Sequence, residues 1–204
     1  MAIELHESRC GSTTETSLVV ARQQLILVEE EVRGLLSLGK ADSKSWKTLD
    51  LSAMISTVRN LVSPACQHKG IDLTVDSPVN VLNVEGSADG IRAAILNLTL
   101  NAIDAAGTAG HVWLTLMTDD QSHRIVVEDD GAGPPPELQG SLYDSFVTSK
   151  QEGIGLGLTI AATVAREHHG TLTWGRADGR TRFEFRLPFA RTSPRDTHEP
   201  SHNY

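Results

Sequence analysis

Apolar residues recur along this chain in two rhythms, one of helices and one of strands. Leu18, Ala21, Leu25, Val28, Val32 and Leu35 are spaced alternately three and four apart. That spacing predicts a helix over 16–38 with a heptad seam. Polar Arg22, Gln23, Gln24, Glu29, Glu30 and Glu31 cover much of its remaining surface. Such a seam either packs on its own domain or meets a partner chain, and we expect a bundle helix of the second kind. Gly39 ends this helix, and 40–47 reads as a polar linker. Asp50 then caps a helix whose Leu51, Met54, Ile55, Val58, Leu61 and Val62 share one face. Leu73 and Val75 alternate in a strand over 71–76. A longer helix is expected from about 88 to 106, with Ile91, Ala94, Ile95, Leu98, Ala102 and Ala105 as its core face.

Strands follow near 111–118, with Val112, Leu114 and Leu116 facing one way, and near 123–128. Residues 131–153 form a loop rich in Gly, Pro and Ser, and a loop of that length inside a compact domain is usually functional, often a lid. A helix over 157–168 comes next, then a hairpin pairing 171–174 with 181–187 across Asp178-Gly179. Helices interleaved with strands predict an α+β fold, a two-layer α/β sandwich with helices on one face of a mixed sheet. The expected domains are a helical segment over 1–40, the sandwich over 46–190 and a disordered polar tail over 191–204.

Composition narrows the function. The 204 residues allow one ordinary domain and a small appendage, and 39% hydrophobic content is normal for a globular protein. A net charge of −8 argues against a general nucleic-acid binder, which needs a basic face. Cys10 and Cys66 have no metal-ligand spacing, so free thiols in a reducing compartment are expected. No apolar run approaches the roughly 20 residues of a membrane span, and no signal peptide is visible, which predicts a cytoplasmic chain without direct membrane contact.

Four separated segments carry candidate chemistry. On the helix over 88–106, Asn97, Asn101 and Asp104 fall at i, i+4 and i+7 and form a polar stripe beside the core face. Polar groups at that boundary are costly unless satisfied, by neighbouring backbone or by a metal ion and phosphates. Carboxamide oxygen suits Mg²⁺, which keeps some waters and shares substrate phosphates as ligands. Asp129, expected just past the strand, can accept from a donor such as the exocyclic amine of adenine. Gly131 and Gly133 let the backbone turn and approach a base, although an Asp-Gly turn alone is common. Gly153, Gly155 and Gly157, with Leu156 and Leu158, lead into a helix whose free N–H groups attract phosphate. No Gly-Lys-Ser/Thr follows, so this is not a Walker A loop, and no strand precedes it, so it is not a Rossmann fingerprint. Phe146, Thr148, Ser149 and Lys150 lie between, Phe146 as an expected buried anchor of a lid and Lys150 as either a phosphate contact or a solvated lysine.

Taken in order, these segments resemble the N, G1, F and G2 boxes of the histidine-kinase ATPase domain, from the ATP-binding superfamily that includes gyrase, Hsp90 and MutL. The resemblance covers about 46–190 and implies a Bergerat-type fold that binds ATP and Mg²⁺. It implies that Asn101 holds the magnesium, and that Asn97, Asp104, Asp129, Gly131, Gly133, Phe146, Thr148, Ser149, Lys150, Gly153, Gly155, Leu156, Gly157 and Leu158 line the ATP site. Asn97, Asn101 and Lys150 are the catalytic candidates. Where the hydrolytic relatives and the anti-sigma-type serine kinases carry a glutamate, this chain has Asn97, and an amide cannot act as a general base.

The resemblance therefore implies transfer to a histidine and then towards a response regulator receiver domain. The helix over 16–38 resembles the second helix of a dimerisation and phosphoacceptor hairpin, implying a homodimer through it. His6-Glu7 echoes the His-Glu of the phosphoacceptor motif. However, Gly11, Ser12, Thr13 and Thr14 follow it as a loop, so residues 1–7 read better as the last turns of a first helix. Two alternatives stand beside this reading: an ATP-binding docking partner without its own acceptor histidine, and an anti-sigma-type serine kinase.

Overall fold

The computed structural model describes residues 46–78, 80–148 and 155–189. The helix expected over 16–38 with its homodimer contact, the 1–40 segment with His6, and the 191–204 tail lie outside the described residues.

Ten regular elements are built from these segments. The strands are β1 (Lys47–Asp50), β2 (Asp72–Asp76), β3 (Asn83–Gly86), β4 (His111–Thr118), β5 (Ser122–Asp129), β6 (Thr171–Ala177) and β7 (Arg180–Pro188). The helices are α1 (Leu51–Lys69), α2 (Ala88–Ala106) and α3 (Gly157–Glu167), with one 3-10 turn at Pro136–Leu138. The main sheet runs in the order β2-β4-β5-β7-β6; β2 and β4 are parallel and the other neighbours antiparallel. β1 and β3 form a separate antiparallel ribbon.

The expected sandwich is therefore present, and α1 and α2 start where capping chemistry allows. Asp50 accepts from the Ser52 N–H at 2.9 Å, and Ser87 accepts from the Gly90 N–H at 3.2 Å. Each bond satisfies one of the backbone donors that a helix start leaves open. Strand alternation aims Val112, Leu114 and Leu116 from β4, Ile125 and Val127 from β5, and Phe183, Phe185 and Leu187 from β7 into one core. Leu51, Ile55, Val58 and Val62 of α1 close it from one side, and Ile160, Ala161, Val164 and Ala165 of α3 from the other. Between them α2 is covered on nearly every side down to Thr99, with Ala93, Leu96 and Thr99 buried as well as the expected face.

Several expectations need correction. The linker expected over 40–47 gives way at Lys47 to β1, and β3 was not foreseen; four-residue strands carry too little alternation to read. Ala105 is exposed, because the sheet ends beneath the last turn of α2 and Ala106 packs on it instead. Leu61 is only half-buried at the rim of α1. Asp129 is the last residue of β5 rather than a residue beyond it, still paired in register with Val112 and Thr181.

Candidate functional site

α2 presents its polar stripe as a gradient. Asn97 is 8% exposed, Asn101 half-buried and Asp104 exposed. The Asn97 Nδ2 donates to the Ala93 carbonyl at 2.8 Å. That bond fixes the amide, and its Oδ1 faces the start of α3: a Cβ at Gly157 would sit 2.7 Å from it. Asp104 is held by Lys69 of α1, with Nζ to Oδ1 at 2.7 Å.

The glycine-rich segments meet α2 and each other where no side chain fits. A Cβ at Gly131 would collide with the carbonyl of Ala105, in the last turn of α2, and would lie 2.9 Å from Asp129 Oδ1. Gly155 takes φ +73°, and a Cβ there would be 2.7 Å from the Phe146 backbone. The Phe146 N–H donates to the Gly155 carbonyl at 3.0 Å. So α2 touches the Asp129–Gly133 turn through the Ala105 carbonyl and the start of α3 through Asn97, and Gly155 just before α3 touches the segment at Phe146. Backbone alone can approach that closely, so glycine is required at all three contacts.

Asp129 is 2% exposed, and its Oδ1 accepts from the Gly131 N–H at 3.0 Å. Burial raises its carboxyl from 3.8 to about 6; the Gly131 bond and the Arg176 charge oppose that rise, and Asp130 adds to it. Above that value the carboxylate is ionised, a buried acceptor with one oxygen already fixed.

Phe146 corrects an expectation. Its ring is 73% exposed rather than buried, because the residue adopts φ +67°, which turns the side chain away from the core while the main chain pins Gly155. Thr148 is exposed beside it, and Leu156 and Leu158 are half-buried at the start of α3. Gly133 takes φ +78° against Arg176. Ser149, Lys150 and Gly153 lie outside the described residues.

Three residues at or near the site carried no role in the sequence reading. Thr181 of β7 is buried opposite Asp129. Arg176 of β6 donates through Nη1 to the Gly131 carbonyl and to Thr181 Oγ1, both at 2.8 Å. Thr181 takes an inward place in the apolar alternation of β7, and Arg176 follows Leu172 and Trp174 along one face of β6 but is exposed. His168 is the third. Its Nδ1–H donates to the Val164 carbonyl at 2.7 Å, and its Nε2 accepts from the Ser87 N–H at 3.0 Å, with Trp46 stacked on the ring. It ties the end of α3 to the start of α2.

Residues 86–191 match the family described as histidine kinase-, DNA gyrase B- and HSP90-like ATPases. The chain belongs to this family. It is an ATP-binding domain of the histidine-kinase type. The sensor histidine kinase ZraS of Klebsiella oxytoca is 28% identical over 180 residues, covering 87% of this chain and 39% of that protein. This chain thus spans well under half the length of that relative. The solved catalytic domain of the histidine kinase ThkA is 27% identical with a TM-score of 0.66, covering 71% of this chain and 95% of that domain. A structure whose title gives ThkA in complex with the response regulator TrrA has a TM-score of 0.67 at 24% identity, covering 82% of this chain and 48% of that one, and shows the same fold.

Proposed function

We propose that this chain is the ATP-binding catalytic portion of a two-component sensor histidine kinase, which moves the γ-phosphoryl of Mg-ATP to a histidine and then towards a response-regulator receiver domain. One observation carries this reading: the buried Asn97 carboxamide, whose Nδ2 is committed to the Ala93 carbonyl. An amide cannot take a proton from water, so hydrolysis lacks its base. An imidazole acceptor needs little activation. The work left to the protein is positioning and charge stabilisation.

Asp129 accepts from the adenine amine while Gly131 and Gly133 bring the backbone up to the base. The N–H groups at the start of α3, at Gly155 to Leu158, face the phosphates, with the segment from Phe146 to Thr148 next to them as the lid that the resemblance implies. Asn101 fits a magnesium site that shares its ligands with phosphate. Among the described residues no three His, Cys, Asp or Glu side chains cluster to cage a metal, and a carboxamide oxygen suits an ion that keeps waters and phosphate oxygens as its other ligands. Bound there, the ion would neutralise charge on the transferring group. The ThkA–TrrA complex supports a receiver domain as partner. The 16–38 seam supports a homodimer. No helix among the described residues is long and apolar enough to cross a membrane, and a cytoplasmic site fits the need for ATP.

Incubation with γ-labelled ATP, alone and with an intact hairpin bearing an acceptor histidine, tests the reading. Acid-labile label on the hairpin histidine is expected. Acid-labile label on this chain itself would support self-phosphorylation and bring His6 back as a candidate acceptor. Nucleotide binding with no transfer would favour the docking-partner reading, and acid-stable label on serine the serine-kinase reading.

A further inference from the structure

Arg176 sits at the end of β6, where the hairpin turns towards β7. One nitrogen, Nη1, donates both to the Gly131 carbonyl and to Thr181 Oγ1 at 2.8 Å. Gly133 lies against the same side chain: a Cβ there would be 2.9 Å from Nη1 and 3.3 Å from Cδ. The turn from Asp129 to Gly133 is thus squeezed between two supports, the Ala105 carbonyl of α2 behind Gly131 and the Arg176 guanidinium beneath Gly131 and Gly133. Gly131 is held at both polar groups, its N–H by Asp129 Oδ1 and its carbonyl by Arg176. Asp129 and Thr181 are register partners, so the guanidinium closes a ring of contacts from β5 through the turn and β6 to β7.

We propose that Arg176 is a positioning residue of the nucleotide site: through Gly131 and Thr181 it fixes the turn that presents the base-recognising carboxylate, and its charge keeps that carboxylate in the acceptor form, so that Arg176 sets the lower pH limit of adenine-nucleotide binding. The inference rests on the reading of Asp129 as the adenine acceptor.

The electrostatic half follows from which charges reach Asp129. Arg176 favours the ionised form, and Asp130 opposes it. The other charged groups on the surrounding elements are engaged elsewhere. Asp104 on α2 is held by Lys69, and His111 on β4 by Asp72 at 2.9 Å, with Asp130 at 3.9 Å. Glu128 and Arg182, neighbours in β5 and β7, point to the opposite face of the sheet, and Arg180 lies over Trp113. Removing the Arg176 charge leaves only the Gly131 bond to oppose burial and Asp130, and the carboxyl of Asp129 holds its proton to higher pH. A protonated carboxyl oxygen offers a donor where adenine also offers one, so binding falls.

Calorimetry with Mg-ADP between about pH 5 and 8, on the full chain and on Arg176→Met and Arg176→Lys, tests this. Wild type should lose affinity below a midpoint near the Asp129 value of about 6. Arg176→Met should bind several-fold more weakly at high pH and move the midpoint up by about half a unit or more. Arg176→Lys keeps the charge and should keep the midpoint. Unchanged affinity and midpoint in Arg176→Met, or a parallel loss at every pH with the midpoint unmoved, would overturn the inference while leaving the site standing. A wild type that binds no Mg-ADP at any pH would overturn the site reading itself.

Discussion

Asp129 is a buried carboxyl that costs the free domain stability at neutral pH. Its carboxyl is raised from 3.8 to about 6 by burial, so whatever stability it contributes is fully present below about pH 4 and is lost as pH rises through 6. At neutral pH the free domain carries a buried charge costing up to about 3 kcal/mol, and on the order of 1–2 kcal/mol once solvent screening is allowed for. Asp129→Asn removes the charge while keeping an oxygen for the Gly131 N–H. The variant should melt a few degrees higher than wild type at pH 7.5, by differential scanning calorimetry, with no such gain at pH 4. In the same samples it should bind ATP at least about tenfold more weakly, because an amide presents donors as well as an acceptor to the base. Equal melting temperatures at both pH values would contradict the burial argument; unchanged ATP affinity would contradict the adenine assignment. The sequence pointed to Asp129 through its Asp-x-Gly-x-Gly setting, but not to Arg176 or Thr181. Their places in the alternations of β6 and β7 became informative only when pairing set Thr181 opposite Asp129.

α3 joins elements that lie far apart in the chain. Its start presses Gly157 onto Asn97, and its end is tied to Ser87 through His168. Just beyond that end His169 adopts φ +55°, and the following Gly170 N–H returns to the Ala165 carbonyl at 2.8 Å. A left-handed residue at this place is usually glycine, because a Cβ there is strained. His169→Gly should therefore raise the urea midpoint, by about 0.5–1 kcal/mol in stability, with nucleotide affinity unchanged. A loss of stability would mean that the imidazole contributes at the helix end more than the strain costs. Long periodic helices such as 88–106 were legible in outline because many residues vote for one face. The ribbon of β1 and β3 was not, since four residues cannot establish a period, and the exposed Phe146 ring was not, since its φ is set by the bond to Gly155.

At the scale of the molecule, one helix organises the site. α2 is sheathed by the sheet, α1 and α3, and it meets the Asp129–Gly133 turn at one end and the α3 start midway. The order of the four segments announced this arrangement because chain order and spacing survive folding. The closeness of contact did not show, because it depends on carbonyls such as that of Ala105 meeting a glycine from another element. The central claim is that Asn101 and the glycine-rich segments together bind Mg-ATP. It is tested most directly by titrating Mg-ATP into the folded chain and into Asn101→Ala in a calorimeter, with and without magnesium. The account predicts a saturable heat with wild type that weakens when magnesium is chelated, and an Asn101→Ala variant with no magnesium-dependent part. No heat from wild type with any adenine nucleotide, or an Asn101→Ala variant that keeps the full magnesium dependence, would contradict it.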